Sequence, residues 1–197
     1  MKKTMNNSQP LENLKHFYIG FIIFSLIIHS IYGLVNLYGF KTGKYVEKSL
    51  TVKDFQPVGA DFSGDMALIS STDDAQLIYT GDVRNIVIKC EFSQDPGEFV
   101  SFYNKSADNA FSPNKMLYAK FIDGYYVFQY PLGTKQIRID TGIFPSIAVN
   151  FEEITINKPT TVTVWGSITN QLFYCLVVPP VLFLLTDTAK QILKKKN

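Results

Sequence analysis

The chain has 197 residues and a net charge of +2 at neutral pH, which allows one domain with anchoring segments but not two large cores. Residues 41–164 hold twelve Lys and Arg against fifteen Asp and Glu, so this stretch is mildly acidic. That balance argues against a nucleic-acid-binding surface, which would be basic. Cys90 lies in a predicted strand and Cys175 in a hydrophobic block, so we expect no disulfide between them.

The first hydrophobic block covers residues 17–40. It runs for 24 residues without Lys, Arg, Asp or Glu, and a helix of that length reaches roughly 36 Å at about 1.5 Å per residue. A secretory signal peptide is the alternative, but its apolar region spans only about 7–15 residues and ends in a small-residue cleavage site. This block ends in Leu-Tyr-Gly-Phe-Lys. We therefore predict transmembrane helix 1 over 17–40, preceded by a cytoplasmic tail over 1–16.

The second hydrophobic block covers residues 165–186 and is predicted to form transmembrane helix 2. Trp165 stands at its start, where membrane helices favour an interfacial aromatic residue. Pro179 and Pro180 lie in its second half and predict a kinked helix, because proline removes backbone hydrogen bonds. A re-entrant segment that does not cross is the alternative.

Lysines mark both termini, most clearly Lys194, Lys195 and Lys196. Cytoplasmic segments of membrane proteins are enriched in Lys and Arg. We therefore predict a basic cytoplasmic tail over 187–197 and a cell-membrane protein with both termini in the cytoplasm. Residues 41–164 would then lie on the extracytoplasmic side of the lipid bilayer.

A stripe of small and polar residues follows one face of the first block: Ser25, His29, Gly33 and Asn36. Such residues let membrane helices approach closely and hydrogen-bond to one another. The stripe predicts a helix-docking surface, either for a larger polytopic membrane protein or for the chain's own second block. A proton relay through His29 is disfavoured, since neither block contains an acidic residue.

Between the blocks, short runs of alternating apolar and polar residues are separated by turn residues, a pattern typical of β-strands. No amphipathic helix is predicted between them, so the fold class is an all-β antiparallel sandwich or jelly roll flanked by two transmembrane α-helices. The predicted strands cover 50–55, 66–70, 76–80, 85–92, 99–103, 116–122, 125–130, 136–140, 153–157 and 161–165.

One hairpin can be assigned to faces. Asp123-Gly124 is a strong two-residue turn signal and pairs Ile122 with Tyr125. The apolar face, predicted to be the core side, carries Leu117, Ala119, Phe121, Tyr126, Phe128 and Tyr130. The opposite face mixes rings with hydrogen-bonding groups, and its candidate ligand-binding residues are Tyr118, Lys120, Tyr125 and Gln129. Such a face suits a sugar or a protein partner, and it equally suits ordinary cross-strand pairing on a solvated surface.

Catalytic and metal-binding patterns are disfavoured. Both histidines, His16 and His29, lie at or within the first block, so the middle domain offers no histidine to activate Cys90. Glu152 and Glu153 are adjacent, so in a regular strand they point to opposite faces. An acidic run (Asp61, Asp65, Asp73 and Asp74) offers oxygen ligands for calcium, but it matches no EF-hand loop. We predict no enzymatic activity, no catalytic residues, no metal site and no cofactor.

Two segments resemble a known class of domain: Lys-Gln-Ile-Arg-Ile-Asp-Thr-Gly at 135–142 and Phe-Glu-Glu-Ile-Thr-Ile at 151–156. These residues resemble the closing strands of jelly-roll, carbohydrate-binding-like domains attached to bacterial cell-envelope glycosyltransferases, although Thr141 stands where those strands usually have proline. The resemblance covers about 25 residues of the chain and assigns no binding residue. Arg138 and Asp140 alternate with isoleucines, so we expect them to form a salt bridge outside the core.

Two hypotheses for function remain. The first is a non-catalytic accessory subunit of a bacterial envelope glycosyltransferase or glycan-export complex that synthesises or exports polysaccharide, its outer domain binding or guiding glycan. The second is an auxiliary scaffold subunit of a transporter, secretion or signalling complex without sugar binding. Both rest on an anchored outer domain without catalytic groups.

Overall fold

A computed structural model describes residues 9–107, 110–166 and 175–186. The chain divides into two compact units, Gly39–Thr163 and the described residues of Met1–Tyr38 with Val164–Asn197. The predicted tail over 187–197 lies outside the described residues, as do residues 1–8 of the first tail and residues 167–174 of the second block.

The unit Gly39–Thr163 is built from two antiparallel sheets, which confirms the predicted all-β sandwich. Its strands are β1 (Lys48–Ser49), β2 (Gln56–Val58), β3 (Ala60–Phe62), β4 (Ala67–Ser70), β5 (Gln76–Thr80), β6 (Asn85–Phe92), β7 (Val100–Asn104), β8 (Met116–Tyr118), β9 (Lys120–Ile122), β10 (Tyr125–Gln129), β11 (Gln136–Asp140) and β12 (Ala148–Ile156). One sheet has seven strands in the order β3-β4-β12-β6-β10-β9, with β1 beside β12. The other has five strands in the order β2-β5-β11-β7-β8.

The core lies between the two sheets. It is formed by the side chains that point inward at every second position of each strand. Leu68, Phe128, Ile137 and Ile154 are each at most 2% exposed. Burial of a side chain of this size contributes about 1.5–3 kcal/mol. The sandwich is therefore stabilised mainly by apolar burial, with polar side chains left to the outer faces and loops.

Two predicted strands are helical instead. Residues 50–55 contain a 3₁₀ helix, Val52–Asp54, because Thr51 and Asp54 form a reciprocal capping box. Residues 161–165 form α2 (Thr161–Trp165) rather than a strand. The Thr160 hydroxyl accepts a hydrogen bond from the backbone N–H of Thr163, and this N-cap outweighs the strand preference of the β-branched residues.

A third predicted strand, 116–122, is divided between the two sheets. Tyr118 pairs with Val100 in the five-stranded sheet, whereas Lys120 pairs with Val127 in the seven-stranded sheet. The chain switches sheets at Ala119, as strands do at the corners of sandwiches. Tyr118 and Lys120 therefore do not share one sheet face, contrary to the prediction.

The helical unit contains α1 (Gln9–Lys41) and a shorter apolar helix, α3 (Cys175–Thr186). Of the described residues, one helix, Leu14–Lys41, is long and apolar enough to cross a membrane. The described part of the second block is α3, and residues 167–174 and 187–197 on either side of it lie outside the described residues. Trp165 ends α2 and Gly166 follows with φ 82°, so the helix does not continue directly from Trp165 into the second block.

Candidate functional site

An open groove of about 360 Å³ lies on the outer face of the seven-stranded sheet, a volume within the range of about 300–1,000 Å³ for small-ligand sites. Strands β6, β9 and β10 supply its floor and one wall, and the segment after β12 supplies the other wall. It is lined by Val87, Lys120, Ile122, Asp123, Tyr125, Val127, Gln129, Lys158, Thr160 and Thr161. Three of the four predicted ligand-binding residues thus meet in one groove: Lys120, Tyr125 and Gln129.

The turn between β9 and β10 fixes which side chains face the groove. Asp123 and Gly124 both adopt positive φ, 51° and 83°, as a type I′ hairpin turn requires. The register pairs Ile122 with Tyr125 and Phe121 with Tyr126, which confirms the predicted hairpin pairing. Because side chains alternate along a strand, this register sends Lys120, Tyr125 and Gln129 to the same side of the sheet.

Tyr125 is held in place by a small polar network at the groove wall. Its hydroxyl donates to the Glu153 carboxylate at 3.3 Å, and the Lys158 ammonium donates to the other Glu153 oxygen at 3.2 Å. The Lys158 Nζ also lies 5.5 Å from the centroid of the Tyr125 ring, within cation–π range. Burial raises the pKa of Glu153, but the hydrogen bonds from Lys158 and Thr155 outweigh it, so the pKa lies below its ordinary value.

Two lining groups have no partner within the described part of the chain. Gln129 Nε2 is buried and makes no hydrogen bond. The Lys120 ammonium likewise forms no ion pair with any described residue. A buried N–H without a partner costs about 1–3 kcal/mol, so an acceptor that reached Gln129 Nε2 would be bound favourably.

The remaining hairpin residues depart from the prediction in two places. Tyr118 is 66% exposed and belongs to the other sheet, so it does not line the groove. Phe121 is predicted to lie on the core side, and this prediction is wrong, because its side chain is 65% exposed. It lies on the edge strand β9, where its ring packs against Tyr126 with centroids 4.9 Å apart and no further strand covers it.

Glu152 and Glu153 do not point to opposite faces as expected. The β12–β6 register shifts between Phe151 and Glu153, so a bulge places two residues where a regular strand has one. Phe151 and Ile154 are both buried, and both carboxylates between them therefore turn outward. Glu152 pairs with Lys89, and Glu153 with Lys158.

The sequence analysis does not predict Lys158 and Thr160 as groove residues. They follow β12, some 30 residues after the hairpin they face, and no local motif marks them. The cap of α2 fixes their segment: Thr160 and Thr163 share a hydrogen bond at 2.7 Å, and Asn85 Nδ2 donates to the Lys158 carbonyl. Thr160, a favourable N-cap residue that precedes Thr163 by three positions, is the signal that could have marked this segment.

On the outer face of the five-stranded sheet, Arg138 and Asp140 form the expected ion pair. Arg138 donates from Nε and Nη2 to the two Asp140 oxygens, both at 2.6 Å. A third contact joins Arg138 to Asp74 at 3.1 Å, and the guanidinium lies 4.7 Å from the Phe102 ring centroid. These groups are bonded to one another and are not free for a ligand.

In the helical unit, the predicted docking stripe contacts the chain itself. Asn36 Nδ2 donates to the Val164 carbonyl at 2.9 Å, and the Ser25 hydroxyl accepts a contact from Cys175 Sγ at 3.5 Å. A Cβ added at Gly33 would lie 2.1 Å from the Trp165 ring, so the ring packs directly against the glycine. His29 Nδ1 lies 3.1 Å from the Ser25 carbonyl of its own helix. These contacts correspond to the alternative in which the stripe packs against the second block.

The geometry also disfavours the remaining candidate sites, the acidic run and Cys90. Asp65 pairs with Lys53 and Asp74 with Arg138, and no three potential metal-ligating side chains cluster among the residues that the structure describes. Cys90 is partly buried, and burial raises the pKa of its thiol to about 12. At neutral pH it is therefore protonated and a poor nucleophile. Both cysteines are free, as expected.

Comparison with known proteins returns similarity of structure only. No protein-family model and no curated protein matches the chain. Similar solved structures include a low-affinity xylan-binding module from Roseburia intestinalis (14% identity, TM-score 0.38, 56% of this chain and 94% of that one). A cleaved adhesin domain of Lys-gingipain has 10% identity and a TM-score of 0.41, over 58% and 99% of the chains. A carbohydrate-binding module from a Cellvibrio mixtus lichenase, solved with cellotriose, has 13% identity and a TM-score of 0.31, over 57% and 97%. Carbohydrate-binding modules, the class that the closing strands resemble, are thus among the structures to which this chain is similar.

Proposed function

We propose that the protein is a membrane-anchored, non-catalytic glycan-binding subunit whose groove on the seven-stranded sheet holds sugar residues. The observation that carries the proposal is the unpaired, buried Gln129 Nε2 in a groove with an aromatic wall. A sugar hydroxyl can accept from Gln129, and the Tyr125 ring offers an apolar surface to the C–H groups of a pyranose. Val87 and Val127 form an apolar floor, and low local polarity strengthens such hydrogen bonds.

The anchor in this proposal is α1, with the second block returning beside it. Phe17 contacts Phe183, and Ser25 contacts Cys175. Eight residues forward along α1 therefore correspond to eight residues backward along α3. This spacing is that of an antiparallel pair, which supports both termini lying on the cytoplasmic side. We infer that the stripe holds this pair together and that residues 41–164 stand outside the cell membrane.

The finer proposal is an accessory role in a bacterial envelope glycosyltransferase or glycan-export complex, beside a larger polytopic membrane protein. It is supported by the combination of a helix long and apolar enough to cross a membrane with a groove on the β-sandwich. Purification in mild detergent followed by mass spectrometry tests it. Recovery of a polytopic glycosyltransferase or exporter supports this role, and recovery of transporter, secretion or signalling components instead would favour the scaffold alternative.

Glycan binding itself is tested on a glycan array with the full-length chain in detergent. We expect wild-type protein to bind and Tyr125→Ala to lose most of the signal, because Tyr125 supplies the aromatic ring of the groove wall. Tyr118→Ala is the matched control, since Tyr118 is equally a strand tyrosine but lies in the other sheet. Absence of any glycan binding, or equal loss in both variants, contradicts the proposal.

The anchor is tested through Trp165, the only tryptophan of the chain. Gly33→Leu should displace the Trp165 ring and shift its fluorescence, because the added side chain has no room. Gly20→Leu, on the same helix, meets nothing within 4 Å and should leave the emission unchanged. Identical spectra for the two variants would contradict packing of the stripe against the second block.

A further inference from the structure

The groove contains two nitrogen donors without a partner among the described residues. Gln129 Nε2 has no partner, and the Lys120 ammonium has none among the described residues. The Lys158 ammonium uses a hydrogen bond on Glu153 and has further N–H groups to offer. A ligand that satisfies these groups must therefore supply acceptors.

The acceptors near the groove differ in whether they are already bonded. The Glu153 carboxylate already receives bonds from Tyr125, Thr155 and Lys158. Asp123 lines the groove from the hairpin turn, at the end of β9. Asn85 has an unpaired Oδ1, but this residue is fully buried and does not line the groove.

Positive charge stands on both walls. Lys120 lies on β9 and Lys158 beyond β12, with the apolar Val87 and Val127 between them. Glu153 neutralises Lys158, which leaves the Lys120 ammonium as the cation available to a ligand. Hydrogen bonds in which one partner is charged are about twice as strong as neutral ones, and a poorly hydrated floor strengthens them further.

We propose, resting on the glycan-binding function above, that the groove takes an acidic sugar, a uronic acid residue whose carboxylate accepts from Lys120 while another acceptor on the glycan meets Gln129. A carboxylate is an acceptor-only group with two oxygens, which suits the unpaired donors of Lys120 and Gln129. The neutral ring of the same sugar packs on Tyr125 and the valine floor. The site is thus selective for charge at Lys120 and for shape at the Tyr125 ring and the valine floor.

Matched probes test this selectivity with the full-length chain in detergent: tetramers of galacturonate and of glucuronate, each with its methyl ester. The ester keeps the backbone and removes the charge. We expect at least one acid to bind about tenfold more tightly than its ester, the value of one charge-assisted hydrogen bond. This advantage should shrink as the salt concentration rises from about 50 mM to about 500 mM, because mobile ions screen exposed charges.

Lys120→Gln should abolish the preference for the acid, and Lys53→Gln, which removes the same charge outside the groove, should leave it intact. Equal affinity for acid and ester, with neutral glycans bound on the array, overturns the acidic-sugar inference and leaves the glycan-binding function standing. Binding to none of the four probes, together with an array without any signal, overturns both.

Discussion

The outer faces of the two sheets both combine an aromatic ring, a cation and a side-chain amide, but these groups have different partners. On the five-stranded sheet, Arg138 is bonded to Asp140 and Asp74 and lies over Phe102. On the seven-stranded sheet, Lys120 and Gln129 face a groove without partners among the described residues. The two faces are therefore alike in composition and differ in whether their polar side chains are bonded to one another, and this difference is the basis of the proposed site.

Loss of Arg138 gives the largest expected effect on stability. Arg138→Ala leaves Asp140, whose side chain is 13% exposed, without its two short hydrogen bonds. Removing one partner of a partly buried ion pair costs about 2 kcal/mol. We expect the midpoint of denaturant unfolding to fall while glycan affinity is unchanged. Weakened binding in the folded variant would mean that the five-stranded sheet also contacts the ligand.

Gln129→Leu should weaken glycan binding without lowering stability, the opposite of Arg138→Ala. The substitution removes a buried N–H that has no partner, so stability should be unchanged or rise by about 1 kcal/mol. Glycan affinity should fall about tenfold, because the ligand loses one hydrogen bond in a site of low polarity. Chemical denaturation and equilibrium titration of the same samples measure both quantities.

Gln136→Leu is the matched control for that variant. Gln136 lies on the outer face of the five-stranded sheet and also has a buried atom without a partner, its Oε1. Its replacement should affect stability as Gln129→Leu does and leave binding unaltered. Comparable loss of affinity in the two variants would contradict the assignment of the site to the groove.

The smallest expected effect is on how stability changes with pH. Its sign differs between Glu153, on the seven-stranded sheet, and Asp140, on the five-stranded sheet. The pKa of Glu153 lies below its ordinary 4.5, so its contribution to stability is present above that pH and is lost as the pH falls further. Burial raises the pKa of Asp140 above its ordinary 3.8, more than the bonds from Arg138 lower it. Its contribution is therefore greatest below 3.8 and declines as the pH rises through the folded-state pKa.

Unfolding free energies measured from about pH 3 to pH 6, around the ordinary carboxyl range, test both signs. Glu153→Gln should lose less stability on acidification than the wild type, since it lacks a group that is destabilised by protonation. Asp140→Asn should lose more, because it lacks a group whose protonation favours the folded state. Parallel curves for the two variants would contradict the assigned environments.

Local signals in the sequence predict the half of the groove that one hairpin builds. Asp123-Gly124 specifies the turn, the turn specifies the register, and the register places Lys120, Tyr125 and Gln129 on one side. The switch of sheets at Ala119 is invisible to this reasoning, because 116–122 keeps its alternation through the corner. Tyr118 is for that reason assigned to the wrong sheet by pattern alone.

The other half of the groove depends on contacts between distant parts of the chain. Lys158 reaches Tyr125 and Glu153 because a bulge in β12 turns Glu153 outward, and strict alternation cannot anticipate a bulge. Likewise, β-branched residues at 161–165 favour a strand until the cap at Thr160 is known. Long-range register and capping, rather than propensity, complete the site.

The central claim, that sugar binds in the groove, is tested most directly by NMR of the full-length chain in detergent with isotope-labelled tyrosine rings. Tyr125→Phe and Tyr118→Phe assign two of the eleven tyrosines. During titration with a bound oligosaccharide, the Tyr125 resonances should shift in proportion to occupancy and those of Tyr118 should stay fixed. A shift at Tyr118 with Tyr125 unmoved, or no shift at either ring, would contradict the account.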